Sequence, residues 1–327
     1  MKRTIPIIAS AVVAAALAGA AQAASGNLVV YTSQPAKDAQ QTVDAFTKKN
    51  PQVKVSWIRQ GTTKMMAKVR AEIAAGSLKA DVLLIADMVT MEGLKQEGRL
   101  LAHTGAKLDG YDPALYDKDR TYFSTKLITT GIIYNTAGKM KPASWADLLK
   151  PAAKGQIAMP SPLTSGAATI HMQAIKNNAA LGWSFYKGLA AQQASAAGGN
   201  GRTLKRVASG EKLYGMIVDF MAIRAKAKGS PVEFVFPKEG VSMVTEPVAI
   251  MKSTKNAEAA KAFVDFLLSK EGQQFAQRQG YLPAHSEVAG PKGFPPRAGI
   301  RLMTFDPAKA LADVKNSRKA FADLFGK

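Results

Sequence analysis

Cysteine is absent from all 327 residues. That excludes disulfides, lipid attachment at an N-terminal cysteine, thiolate metal sites and cysteine nucleophiles together. Histidine is scarce: His103, His171 and His285 are the whole supply. No two of them have metal-ligand spacing, and H-E-x-x-H, G-x-S-x-G and the P-loop do not occur. No residue is therefore assigned a catalytic role, and the chain reads as non-enzymatic. An exported hydrolase or lyase with a spatially assembled triad is the rival from another class. Adjacent tyrosines, fixed-period repeats and a second long apolar run are missing as well, so no membrane span is expected after the N-terminal segment.

What is present begins with an export signal. Met1, Lys2 and Arg3 form a positive start, residues 5–20 are apolar and small, and Ala21, Gln22 and Ala23 fit a small-x-small cleavage site. The apolar core is shorter than the roughly 20 residues a span needs. Residues 1–23 are thus expected to be a signal peptide, cleaved after Ala23, leaving a soluble periplasmic protein that starts at Ala24. The net charge is +20, and loss of Lys2 and Arg3 leaves +18. Export argues against nucleic acid as a partner. The lysines are spread along the chain rather than interleaved with aromatics, so the charge reads as a basic surface able to steer anions toward a cleft.

Apolar periodicity divides the chain into repeated strand-helix units. Leu28, Val29, Val30 and Tyr31 make a buried-type strand that runs into the polar turn Thr32, Ser33, Gln34, Pro35. A helix with Ala39, Val43 and Phe46 on one face ends before Asn50 and Pro51. Val53, Val55 and Trp57 alternate as a half-buried strand leading to Gly61, Thr62 and Thr63, and Met66, Val69 and Ile73 mark the next helix. Residues 81–85 form a third strand, followed by Ala86 and Asp87 and a helix carrying Met91 and Leu94. This order predicts a parallel sheet with helices on its faces, its strand-to-helix loops at the carboxyl edge where ligands bind.

A second unit of the same kind follows. Residues 122–135 hold two extended runs around Thr129, Thr130 and Gly131, and Ser144 to Asp147 resembles a capping box. A strand at 156–159 leads into Thr164, Ser165 and Gly166. Residues 183–189 and 203–207 read as helices, and 214–218 as a strand entering Asp219, Phe220 and a further helix. The run 190–201, rich in Ala, Gln and Gly, reads as a loose helix end and surface loop rather than a domain linker. Near the end, Ala259, Phe263, Phe266 and Leu267 share a helical face, with Asn256 as N-cap and Gly272 as a break. Residues 306–325 form a last amphipathic helical segment.

Several of these pieces form an ordered set: the export signal, Leu28 to Tyr31, Ala80 to Leu84 ahead of Glu97 to Leu101, Gly131 to Asn135, and the closing run from Ala249 through Asn256–Gly272 to Pro283. Together they resemble the periplasmic ABC-transporter solute-binding proteins of the ferric-iron and phosphonate branch. The resemblance implies two α/β lobes of the type II periplasmic binding protein fold, closing on a ligand that passes to an inner-membrane ABC permease. It also implies a Ser-Lys-Glu-Gly-Gln turn after the closing helix. Lobe one is expected from 24–130 and 245–290, lobe two from 131–244, with 291–327 a C-terminal helical segment. The crossings are expected near 131–135 and 241–247, and the chain is expected to act as a monomer without a cofactor.

The ferric members' four iron-binding positions hold Pro35, Ala86, Asp219 and Phe220 here, so no resident metal is expected. Ferric iron with non-standard ligands becomes the alternative cargo, since it needs several anionic oxygens. The loops instead offer hydroxyls at helix starts: Thr32, Ser33, Thr62, Thr63, Thr164 and Ser165, with Gly166. Such starts suit a tetrahedral oxyanion, and ordinary N-capping is the competing explanation. Asp87 and Asp219 sit in loops of the same kind, where capping of the helix that follows is the competing explanation for either. Acids beside an oxyanion site point to a zwitterion, and the family resemblance makes 2-aminoethylphosphonate the first choice. Among the aromatic candidates Tyr31, Tyr122, Tyr134 and Phe220, for each of which core packing is the competing explanation, Tyr31 and Phe220 complete the expected contact set.

Overall fold

The computed structural model describes residues 24–326. The export signal and its cleavage site lie outside the described residues. Among the described residues no helix is long and apolar enough to cross a membrane.

The first half-lobe runs β1 (Gly26–Thr32), α1 (Ala36–Lys49), β2 (Val53–Arg59), α2 (Thr62–Ala74), β3 (Val82–Leu84), α3 (Met88–Gln96), β4 (Leu100–Leu101) and β5 (Tyr122–Ser124). The chain then enters β6 (Lys126–Asn135), β7 (Ile157–Met159), α4 (Gly166–Asn177), α5 (Gly182–Ala191), β8 (Ser195–Ala196), α6 (Asn200–Ala208), β9 (Tyr214–Val218), α7 (Asp219–Ala227), β10 (Val232–Val235) and β11 (Ser242–Val244). It returns through β12 (Pro247–Met251), α8 (Ala257–Leu268), α9 (Lys270–Arg278) and β13 (Leu282–Pro283), and ends on α10 (Pro307–Phe325).

These strands make two sheets. The first has the order β2-β1-β3-β12-β4, with β5 beside β12. Its β1, β2 and β3 are parallel, and β12 runs antiparallel to β3. The second has the order β10-β6-β9-β7-β8, with β11 and β13 on β6. Here β7, β8 and β9 are parallel while β6 opposes β9, so this sheet is mixed rather than a copy of the first. The near-continuous burial of β3, β7, β9 and β12 follows from helices covering both faces. This two-sheet α/β architecture is the one that the resemblance implies.

Packing explains why the helices dock where they do. The buried stripe Ala39, Val43 and Phe46 of α1 meets the stripe of α8, and the Phe46 and Phe263 rings stand edge to face with centroids 5.0 Å apart. Burying one such ring contributes about 1.5–3 kcal/mol. On α2 the buried apolar residues are Met65 and Val69; Met66 stands only partly buried beside them.

Several expected boundaries move. Gly272 does not end the closing helix. The break falls at Ser269, whose Oγ accepts from the Gly272 N–H at 3.0 Å and starts α9, so the expected Ser-Lys-Glu-Gly-Gln turn is a helix start. Asn256 holds the N-cap position of α8 without a side-chain cap bond; its amide turns to Asp81 instead. The passage out of the first sheet falls at Thr125, because Thr129, Thr130 and Gly131 lie inside the continuous strand β6. Ser144 and Asp147 do form a capping box, on a short 3-10 turn.

Candidate functional site

The two lobes enclose a cavity of about 500 Å³, and its wall is built largely from helix starts. Lobe one presents Ser33, Pro35 and Ala36 where β1 hands over to α1, Gly61 and Thr62 at the head of α2, and Ala86 after β3. Lobe two presents the heads of α4 and α6, and Val218 and Phe220 where β9 becomes α7. All lie at carboxyl ends of strands, the edge at which open α/β sheets bind ligands.

The first N–H groups of a helix have no partner within it. α1, α2 and α6 start from Pro35, Gly61 and Gly199, and none of the three receives a side-chain cap. Three helix starts from two lobes thus offer unclaimed donors and the positive ends of their dipoles to one space. α4 differs: Ser165 Oγ accepts from the Ala168 N–H at 3.3 Å.

Two arginines reinforce this polarity. Arg59 ends β2 in lobe one and lines the cavity; its Nε donates to the Gln34 carbonyl at 2.9 Å, and its outer nitrogens have no partner among the described residues. Arg202 lies in the first turn of α6 in lobe two and lines the same cavity. Sequence reading missed both. Arg59 was accessible as the last residue of a strand whose following loop had been singled out. Arg202 sat beside a run read as a surface loop.

Of the residues expected from sequence, Ser33, Thr62, Thr164, Ser165, Gly166 and Phe220 line the cavity. Ser33 Oγ accepts from the Ala86 N–H at 2.9 Å, so its own proton remains available. Thr164 Oγ1 donates to the Gly198 carbonyl at 2.8 Å. Tyr31, Thr32, Thr63, Asp87 and Asp219 are not on the wall. The Tyr31 ring packs into the lobe-one core with Met65 and Val69, its hydroxyl donating to Glu72 at 3.0 Å. Burial, then the Glu72 hydrogen bond, raises its pKa. Thr32 Oγ1 accepts from the Gln34 N–H at 3.1 Å, and Thr63 Oγ1 is buried without a partner.

The two aspartates are engaged by groups of the protein itself. Asp87 caps α3, accepting from the Thr90 N–H and, at 2.7 Å, from the Thr90 hydroxyl. Asp219 is the first residue of α7 rather than a loop residue. Its Oδ2 accepts from both the N–H and the hydroxyl of Thr129 at 2.7 Å, and its Oδ1 accepts from the Phe220 N–H at 2.6 Å. Burial pushes its carboxyl up to about 6 against the pull of those hydrogen bonds. Burial raises Asp87 too, with Thr90 opposing. Neither acid is turned to the cavity as a partner for a ligand ammonium.

The carboxylate on the wall is Glu246, which sequence reading overlooked. It lies on a crossing segment between the lobes, where the Thr125 and Lys126 N–H groups donate to the Thr245 carbonyl at 3.1 and 3.2 Å. Its Oε2 accepts from Lys126 Nζ at 2.6 Å and from Gln34 Nε2 at 3.1 Å. On one flank of the hinge Arg224 of α7 pairs with Asp38 of α1 at 2.8 Å, joining lobe two to lobe one. Across the cleft, the head of α4 touches lobe one so closely that a Cβ on Gly166 would collide with the Ala86 carbonyl oxygen and lie 2.8 Å from Thr62 Oγ1. The positions Pro35, Ala86 and Phe220 reach the cavity but bring no anionic oxygen to it. Among the described residues no group of three or more His, Cys, Asp or Glu side chains is placed to hold a metal.

Residues 41–296 match the family described as bacterial extracellular solute-binding protein. The chain is 27% identical over 283 residues to a putrescine/cadaverine-binding protein of Pseudomonas aeruginosa, covering 78% of each. Its fold is similar to the periplasmic binding protein AfuA from Actinobacillus pleuropneumoniae, solved with fructose-6-phosphate, at TM-score 0.84 and 24% identity over 92% of this chain and 99% of that one. It is also similar to iron-bound HitA from Pseudomonas aeruginosa, at TM-score 0.77 and 24% identity over 91% and 99%. At such identities these structures speak for the fold alone. The family match spans most of the chain and agrees with a two-lobed fold closed on one cavity: the protein belongs to the bacterial extracellular solute-binding proteins, and it is the substrate-binding component of an ABC importer rather than an enzyme.

Proposed function

We propose that the solute is a small organic phosphate or phosphonate, captured in the periplasm and released to an inner-membrane permease. The observation that carries this reading is the convergence of the uncapped starts of α1, α2 and α6 with Arg59 and Arg202 on one cavity. Oriented N–H groups and a planar guanidinium match the oxygens of a tetrahedral dianion. Ser33 and Thr62 add hydroxyl donors at the same edge.

The relative named for putrescine and cadaverine points to a dication. A diamine in this cavity would face two guanidiniums and three positive helix ends, and the single carboxylate on the wall, one oxygen of which already holds Lys126, could balance at most one of its two charges. The ferric alternative lacks oxygen donors at Pro35, Ala86 and Phe220.

A thermal-shift and calorimetry panel of 2-aminoethylphosphonate, sugar phosphates, glycerol phosphate, putrescine and ferric citrate tests the reading. A ligand at a hundred times its Kd adds about 2.7 kcal/mol to stability, a plain rise in Tm. At least one phosphorus compound is expected to give that rise. Binding of putrescine or ferric iron with no response to any phosphorus compound would overturn it.

A further inference from the structure

We propose that Glu246 reads a hydrogen-bond donor on the body of the ligand, so that the protein selects a hydroxy- or amino-bearing organic phosphate or phosphonate and rejects bare phosphate. The inference rests on the anion reading above and narrows it. A carboxylate placed on the wall of an anion-binding cavity is repulsive unless it has a partner. Here the partner is divided between the two oxygens. Oε2 is claimed by Lys126 Nζ and Gln34 Nε2, and Oε1 has no partner among the described residues. The residue is 2% exposed and lines the cavity, so the free oxygen can be met only by what occupies the cavity beside it. An unpaired acceptor in such a place costs binding free energy until a ligand donor meets it.

The backbone gives a second, independent sign. Glu246 has φ +39°, in the left-handed region that non-glycine residues seldom occupy, and Pro247 follows it. Such strain persists where surrounding structure over-determines it, commonly at ligand sites. The restraints are visible: the Thr125 hydroxyl donates to the Glu246 carbonyl at 2.7 Å, and Lys126 from the neighbouring crossing strand holds the side chain. Lys126 is itself fixed over the Tyr281 ring, 4.4 Å from its centroid. The acceptor is therefore rigid, and a site built to hydrogen-bond a ligand donor rejects the analogue that lacks it.

The test compares matched ligands. Calorimetry on the unmodified protein sets 2-aminoethylphosphonate against ethylphosphonate, glycerol phosphate against propyl phosphate, and both pairs against inorganic phosphate. At least one donor-bearing compound is expected to bind about tenfold or more tighter than its donor-less partner and than inorganic phosphate. In Glu246→Gln that preference is expected to fall at least tenfold, while the donor-less compound binds as well or better because a negative charge has left the wall. If the single variant does not fold with Lys126 unpaired, Glu246→Gln combined with Lys126→Met keeps the charges balanced and serves the same comparison. Equal affinity within each pair in the unmodified protein, or a preference unchanged by the substitution, overturns this inference and leaves the anion reading standing. Failure of every phosphorus compound to bind overturns both.

Discussion

Arg59 and Arg202 approach the cavity from opposite lobes, and neither is tied to a carboxylate among the described residues. Hydrogen bonds to charged groups contribute about 1.5–3 kcal/mol each. Arg59→Gln and Arg202→Gln are therefore each expected to weaken the anion roughly tenfold to a hundredfold in calorimetry; an unchanged Kd in both would remove them from the site. Asp219 makes a separate prediction about pH. Burial lifts its folded pKa from 3.8 to about 6, so between those values the native state holds a proton that the unfolded chain has lost. The group therefore favours folding most at low pH, and this contribution drains away as pH rises from about 4 to about 6, by roughly 3 kcal/mol. Urea unfolding of the protein and of Asp219→Asn at pH 4, 5 and 7 should show the original losing ground to the variant across that range. A stability difference that ignores pH would contradict it.

Among the elements, α10 has an unusual position: it packs on α3 of lobe one and on α4 and α5 of lobe two. Leu311 sits 3.5 Å from where a Gly93 Cβ would lie, Lys176 and Asp313 pair, and Phe321 is buried against Tyr186. Phe321→Ala should cost about 3–5 kcal/mol of unfolding free energy by emptying a lobe-two pocket, while leaving ligand ranking intact. A changed ranking would mean that α10 acts on the site itself. The helices were the legible part of this molecule. Ala259, Phe263, Phe266 and Leu267 stand at helical spacing in the sequence, and all are buried on α8. The hydroxyl-rich heads of α2 and α4 were legible too, because a strand followed by Gly or Ser and then an apolar period marks a helix start. The direction of a side chain was not. Asp87 and Asp219 follow strands just as Ser33 does, but Asp87 at its helix start is claimed by Thr90, and Asp219 by Phe220 and by Thr129 of the neighbouring strand, before either can reach outward. Glu246 stayed hidden because its meaning depends on Lys126, 120 residues earlier.

For the whole molecule, the large positive charge and the arginines and helix starts of the cavity act in the same direction. A field of one sign raises the encounter rate of an opposite ligand and is screened by salt. Raising salt from about 0.01 M to about 0.1 M shrinks the Debye length from ~30 Å to ~10 Å. The association rate of the phosphorus ligand, followed by tryptophan fluorescence, should fall about tenfold over that range, with a much smaller change in the dissociation rate. A salt-independent association rate would confine the basic surface to solubility.

The contact of Gly166 with Ala86 and Thr62 bears on that same rate measurement. A solute that enters past α4 has to wait until these backbones separate, and separation is a first-order event that owes nothing to solute concentration. Binding should then speed up with concentration only until it meets a plateau, the opening rate of the cleft. Salt would lower the initial slope of that curve and leave the plateau where it was. Gly166→Ala, which wedges the same seam, would raise the plateau while loosening the grip on whatever had entered.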